Sequence, residues 1–243
     1  MKIMLFGDSH LAALKRGMAK VVVSPDVEIS FWGTPGNRFR NISWRDGQIV
    51  PDDDATARAF ARFNAQGLTR LDPAQYDMVV FVGARIRPGA VIPDILNHMM
   101  HRRRHLSQAF IRALLADHLR GHSTYQMARN IAADGTRVVL NPISFETEGK
   151  GRPPRNLSRA RRAGEAENRL LQDHITAVLA EDGIEAILQP LESITNGYQT
   201  RARFGVDGGD AVHKNADYGA VILQRILAQA GVTDASFPMI TDL

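Results

Sequence analysis

Two short motifs at opposite ends of the chain carry residue types suited to nucleophilic chemistry. The first is Phe6-Gly7-Asp8-Ser9-His10. It ends an apolar run and opens a helical one, which sets Ser9 at a helix N-terminus among backbone N–H groups that lack intrahelical partners. Those donors, together with the positive end of the helix dipole, suit a developing oxyanion. Gly7 lets the chain turn where a side chain would obstruct. The same residues also read as a plain helix start, with Asp8 or Ser9 as its cap. The second motif is Gly209-Asp210-Ala211-Val212-His213-Lys214-Asn215. An Asp three residues before a His can bring its carboxylate to the imidazole when the segment is a turn. That contact fixes the tautomer and supports the imidazolium formed on proton abstraction. Taken alone, the segment reads more readily as a surface loop with an incidental pair.

Five β-like runs must position these motifs: Lys2–Phe6, Val27–Trp32, Met78–Val82, Arg137–Asn141 and Ile184–Leu188. Several are nearly continuous apolar runs, as parallel strands buried on both faces require. Helical patterns alternate with them: His10–Val22, Asp54–Gln66, Ile92–Ala133 in two or three pieces, Ser158–Glu181 and Ala216–Ala230. Within the fourth, Leu170, Leu171, Ile175, Val178 and Leu179 recur at helical spacing. This alternation predicts an α/β fold: a three-layer αβα, flavodoxin-like arrangement on a five-stranded parallel sheet. The ligand site of such a sheet lies beyond the carboxyl ends of its strands. Gly33–Pro51 and Pro142–Arg155 read as loops on that edge. No repeat or long linker divides residues 1–243, so a single domain is expected, with a tail from about Thr233 to Leu243.

Together the two motifs resemble the SGNH/GDSL hydrolase superfamily, and the resemblance runs over nearly the whole chain. It implies that Ser9 is the nucleophile, His213 the general base and Asp210 the group that orients His213. Asn215–Ile226 is similar to the family's closing helix. The resemblance also implies two further oxyanion-donor blocks. One is a glycine after the second strand, where Gly33-Thr34-Pro35-Gly36-Asn37 stands. Gly36 matches best and Gly33 second, the backbone N–H being the donor; both also fit simple turn chemistry. Asp8 belongs with this oxyanion and substrate-binding set. The other block is Gly-x-Asn-Asp after the third strand. Here the chain reads Gly83-Ala84-Arg85-Ile86, with Arg85 in the asparagine's place. Three outcomes stay open: Arg85 donates to the oxyanion, holds a substrate anion, or marks a lost activity. A guanidinium offers five donors and a permanent charge. The Gly-Asp-Ser-His form resembles SGNH domains that handle acyl groups on sugars, although His10 also reads as a first-turn helix residue.

Composition narrows the classes. The chain has 243 residues, 44% of them hydrophobic, enough for a full core. There are no cysteines, which excludes disulfides, thiolate metal sites and a Cys nucleophile. No apolar run reaches the roughly 18 residues of a membrane span. Met1–Phe6 is broken at once by Gly7 and Asp8, unlike a signal peptide, so with Met1 as the start a cytoplasmic location is expected. The net charge of +4 permits an anionic partner without demanding nucleic acid, and no nucleic-acid module or P-loop is recognised. The basic residues fall in the loops after strands: Arg38, Arg40 and Arg45; Arg85 and Arg87; Lys150, Arg152 and Arg155. They form either a rim that concentrates anionic substrates or a solvated basic surface. His98, His101 and His105 fall at helical spacing, but Arg102, Arg103 and Arg104 crowd them and no acidic ligand adjoins. No metal and no cofactor is expected.

The resulting reading is a serine esterase or acylhydrolase. Its substrate would be a small-molecule or glycan ester, with an O-acyl group on an anionic glycan or lipid as one fit. An acyltransferase uses the same groups. The rival is a non-catalytic protein of the same fold that binds an anionic glycan or lipid. The oligomeric state is not set by the sequence.

Overall fold

The computed structural model describes residues 1–101, 105–150 and 157–232. Its elements run in the order β1 (Lys2–Gly7), α1 (Leu11–Gly17), β2 (Glu28–Gly33), β3 (Ile42–Arg45), β4 (Gln48–Pro51), α2 (Asp54–Phe63), β5 (Met78–Gly83), α3 (Ile92–Met99), α4 (Gln108–Arg120), α5 (Ser123–Ala133), β6 (Val138–Pro142), α6 (Glu165–Glu181), β7 (Ile184–Ala186), β8 (Ile194–Thr195), β9 (Gln199–Thr200) and α7 (Ala216–Gln229). The main sheet has the order β2-β1-β5-β6-β7, and every pairing in it is parallel. This is the flavodoxin-like order, with its switch point between β1 and β5.

The apolar runs are continuous because both faces of the sheet are covered. Along β1, Met4 and Phe6 join one buried cluster, while Ile3 and Leu5 join the other, the two-residue period of a strand. On the first face lie Phe60 of α2, Leu96 of α3, Leu115 of α4, Ile131 of α5 and Ile175 of α6. The second face is covered by Leu11 and Leu14 of α1 with Ile222, Leu223 and Ile226 of α7.

Several boundaries differ from those expected. Gly33–Pro51 is not a plain loop: β3 and β4 form an antiparallel hairpin within it. Asp46 and Gly47 both have positive φ, 50° and 74°, as a two-residue hairpin turn of Asp-Gly type requires. A second small hairpin, β8–β9, was also not anticipated. The helix α1 stops at Gly17 rather than Val22 and passes into a 3-10 turn at Met18–Lys20. The helix α2 stops short of Gln66, where Asn64 accepts from the backbone of Gln66 and Leu68 through its side chain. The Ile92–Ala133 stretch divides into three helices, in keeping with the two or three pieces expected. The helix α6 begins at Glu165 rather than Ser158, with the Glu167 carboxylate accepting from the Gly164 N–H at 2.7 Å. The strand β7 ends at Ala186, not Leu188. The expected tail lies outside the described residues. No described helix is long and apolar enough to cross a membrane.

The helices α1 and α7 follow the two motifs and meet through glycines. A Cβ on Gly219 would stand 1.9 Å from the Ala13 carbonyl oxygen, and one on Gly17 would stand 2.5 Å from the Ala220 nitrogen. The Arg16 guanidinium of α1 also donates to the Lys214 carbonyl, just before α7, at 3.0 Å. Gly219→Ala would gain about 0.5–1 kcal/mol of helix propensity. Overpacking against a rigid backbone costs about 1–3 kcal/mol, so the loss should win. We expect a lower urea midpoint for this variant in chemical denaturation. An unchanged or higher midpoint would show that the two helices part at little cost.

Candidate active site

The strand β1 delivers Ser9 to the carboxyl edge of the sheet. The chain turns there: the Leu11 N–H donates to the Asp8 carbonyl at 3.1 Å and the Ala12 N–H to the Ser9 carbonyl at 3.2 Å. The N-cap residue of α1 is His10, which makes no side-chain cap bond, and the Ser9 hydroxyl is turned elsewhere. It lies instead 2.8 Å from His213 Nε2. His213 Nδ1 lies 2.6 Å from Asp210 Oδ2. A carboxylate can only accept, so Nδ1 carries the proton and Nε2 accepts from the Ser9 hydroxyl. The three residues thus form one hydrogen-bonded line across 204 positions of sequence.

The Asp210 segment forms a turn that brings its carboxylate to His213. Asp210 Oδ1 accepts from the backbone N–H groups of Val212 at 2.9 Å and His213 at 3.1 Å. The backbone N–H of His213 and then its ring hold the Asp210 carboxyl well below the usual carboxylate range. The turn is tied down from outside by the Thr147 N–H, which donates to the Ala211 carbonyl at 2.8 Å. It is tied from beneath by Lys214, which is buried and donates from Nζ to the carbonyls of Val212 at 2.8 Å and Ala211 at 3.3 Å. Burial pushes the Lys214 ammonium down to about 8. Nothing in the sequence marks this lysine, since a lone Lys beside the motif gives no sign of being buried.

Gly36 follows β2 in a turn in which the Arg38 N–H donates to the Pro35 carbonyl at 2.9 Å. A Cβ on Gly36 would lie 3.4 Å from Arg85 Nη1, 4.0 Å from Asp8 Oδ2 and 4.0 Å from Ser9 Oγ. The backbone there approaches the Ser9 hydroxyl, and the Arg85 guanidinium lies alongside. Gly33, the second match, is a packing position. It pairs with Gly7 in the β1–β2 register, and a Cβ on it would stand 1.9 Å from the Gly7 carbonyl oxygen.

Beyond β5 the chain makes an unusual turn. Gly83, Ala84 and Arg85 all have positive φ, at 68°, 47° and 62°. For a non-glycine residue each such conformation costs about 1–3 kcal/mol and persists only where surrounding contacts enforce it. Here the Ala84 N–H donates to the Val82 carbonyl at 2.8 Å and the Ile86 N–H to the Gly83 carbonyl at 2.9 Å. The Thr124 hydroxyl donates to the Ala84 carbonyl at 2.7 Å. Asp8, buried at 1% exposure, accepts from the His10 N–H at 3.2 Å and faces the backbone N–H of Arg85. Burial raises the Asp8 carboxyl, and these N–H groups with the Arg85 and Arg87 charges oppose that rise. Asp8 therefore links the serine turn to the arginine turn from beneath the site.

His10 also belongs to the site. Its ring stacks at a tilt on that of His213, centroids 5.3 Å apart. Burial pushes its imidazole down to about 3, so it is neutral at ordinary pH. Its position in the first motif was the only hint of this.

The basic rim divides. Arg85 stands near the Ser9 hydroxyl, while Arg87 and Lys150 line a neighbouring cleft. Arg45 is held by Asp52 at 2.5 Å in the hairpin region. Arg38 is half-buried and Arg40 exposed. Arg152 and Arg155 lie outside the described residues, as do Arg102, Arg103 and Arg104. The three histidines do not share a helix face, because α3 ends at Met99 and leaves His101 and His105 beyond it. His98 Nδ1 meets the Asp94 carbonyl at 2.9 Å. Among the described residues, no group of three or more His, Asp or Glu side chains is placed to share a metal ion.

No family model matches the chain, and no curated protein matches it significantly. Solved structures with a similar course include the Bacillus subtilis protein YxiM, at 16% identity and a TM-score of 0.41; the match covers 96% of this chain and 57% of that one. A carbohydrate acetylesterase from Sinorhizobium meliloti matches at 13% identity and a TM-score of 0.38, over 95% of this chain and 98% of that one. The periplasmic domain of the Salmonella ser. Paratyphi A lipopolysaccharide acetyltransferase matches at 13% and 0.43, over 96% and 84%. These are distant likenesses of chain course, and the chemistry of the site follows from its own residues.

Proposed function

We propose that this protein is a serine esterase or acylhydrolase that works without a cofactor. The observation that carries the reading is the line from Ser9 through His213 to Asp210, with Nε2 free to accept the hydroxyl proton. The Ser9 hydroxyl attacks an ester carbonyl carbon as His213 takes its proton. The carbonyl oxygen becomes an oxyanion on the side of Gly36 and Arg85, where the backbone N–H groups of Ser9 and Gly36 stabilise it. His213 then returns the proton to the departing alcohol oxygen, leaving an acyl ester on Ser9. Water, activated by the same imidazole, releases the acid. An alcohol in place of that water would make the reaction an acyl transfer with the same machinery.

The substrate class that fits the arginines is an ester whose body is anionic, such as an O-acyl group on an anionic glycan or lipid. A fluorophosphonate probe tests the chemistry, since it needs an activated serine and no particular substrate. We expect stoichiometric labelling of Ser9, located by mass spectrometry of the digested protein, and none in His213→Ala. An unlabelled wild-type protein would instead favour a binder that keeps the fold without the reaction.

A further inference from the structure

We propose that the cleft bordered by Arg87, Phe145, Lys150, Tyr198 and Val212 holds the alcohol half of the ester and favours alcohols that carry a negative charge. The proposal rests on the serine-esterase reading for its orientation. His213 must hand its proton to the leaving oxygen, so the alcohol lies on the imidazole side of Ser9 and the oxyanion on the other. Val212 precedes His213 and lines the cleft, whereas neither Gly36 nor Arg85 does. The cleft therefore borders the turn that carries the base, and Arg87, two residues beyond Arg85, lines it as well.

The cleft holds about 380 Å³, within the size range of small-molecule sites. Its apolar walls include Ile143 and the rings of Phe145 and Tyr198, all nearly buried. A flat or ring-shaped alcohol can lie against such walls. The charge of the cleft is uneven. Arg87 makes no ion pair among the described residues, and its guanidinium fork matches a carboxylate or phosphate. Lys150 spends one donor on the Val206 carbonyl, leaving two of its three. Among the lining residues one carboxylate, the exposed Glu146, stands against these two cations, and the buried Asp8 also feels the charge of Arg87 from beneath the site. An anionic alcohol would fill the donors that remain.

The test compares phenyl acetate, 4-carboxyphenyl acetate and phenyl butyrate on the wild-type protein and on Arg87→Ala. The ratio of kcat/KM for 4-carboxyphenyl over phenyl acetate should fall roughly tenfold in the variant, as expected for one lost charge-assisted contact. The ratio for phenyl butyrate over phenyl acetate should hold, because a cleft for the alcohol half does not touch the acyl chain. An unchanged first ratio, or a shift confined to the second, would overturn the assignment. Calorimetric binding of 4-hydroxybenzoate, set against phenol, separates this proposal from the esterase reading. Wild-type protein should bind the anion more tightly, and Arg87→Ala should lose roughly tenfold. That result without any ester hydrolysis would sink the esterase reading and leave the anion cleft standing. Equal binding of 4-hydroxybenzoate and phenol would sink the cleft.

Discussion

Ser9→Ala and His213→Ala should each lower kcat for p-nitrophenyl acetate by at least about a thousandfold, and the double variant should be little worse than either. Groups that act as a unit lose nearly all their benefit when one is removed. The geometry makes this pair a unit: the Ser9 hydroxyl has Nε2 of His213 at 2.8 Å. Neither substitution should unfold the protein, since both side chains stand at the partly open edge rather than in the core. Far-UV circular dichroism and urea midpoints provide that control. Asp210→Asn should fall less far. The amide oxygen can still take the turn's backbone N–H groups or the Nδ1 proton, and Asp210 is 40% exposed, so water can relieve part of the loss. Near-wild-type turnover in Ser9→Ala would end the nucleophile assignment, and additive losses in the double variant would mean that the two act separately.

The parts legible in the sequence are those where one physical demand outweighs the others. The strands β1, β5 and β6 are buried on both faces and must be apolar at almost every position, so their runs stand out. Helices at 3.6-residue spacing between them dictate a parallel sheet, and the Asp-x-x-His spacing, weak alone, becomes readable beside the Gly-Asp-Ser motif. What stayed hidden depends on packing at a distance. The β3–β4 hairpin is short, and its one strong signal, Asp46-Gly47, is easily taken for a loop. Gly33 and Gly36 look alike as letters; only the close approach of Gly33 to Gly7 separates packing from access to Ser9. Lys214 and His10 are polar residues whose burial follows from neighbours far away in the chain. The consecutive positive φ angles at Ala84 and Arg85 contradict local propensity altogether. Such violations concentrate at functional sites, where surrounding structure sustains the strain.

That turn is where the sharpest expectation falls. If Arg85 donates to the oxyanion, Arg85→Ala should lower kcat by roughly ten- to a thousandfold, the usual cost of one lost oxyanion donor. KM for a small neutral ester should move little, because the donor is used mainly in the transition state. The contacts of Arg85 favour a side-chain effect of this kind. Its backbone N–H faces Asp8, and the turn is held by the carbonyls of Val82, Gly83 and Ala84, none of which the substitution removes. The guanidinium, by contrast, lies where a Cβ on Gly36 would meet both Arg85 Nη1 and Ser9 Oγ within 4.0 Å. If Arg85 instead anchors a substrate anion, the neutral ester should be nearly indifferent and an anionic ester should suffer, mainly in KM. One variant and two esters therefore separate the roles. Arg85→Asn adds a third measurement. Asparagine tolerates the left-handed backbone better than most residues and offers a neutral amide donor, so it should recover much of kcat under the oxyanion role and nothing under the anchoring role. Unchanged kinetics of Arg85→Ala on both esters would remove Arg85 from the reaction and leave it a structural residue of the turn.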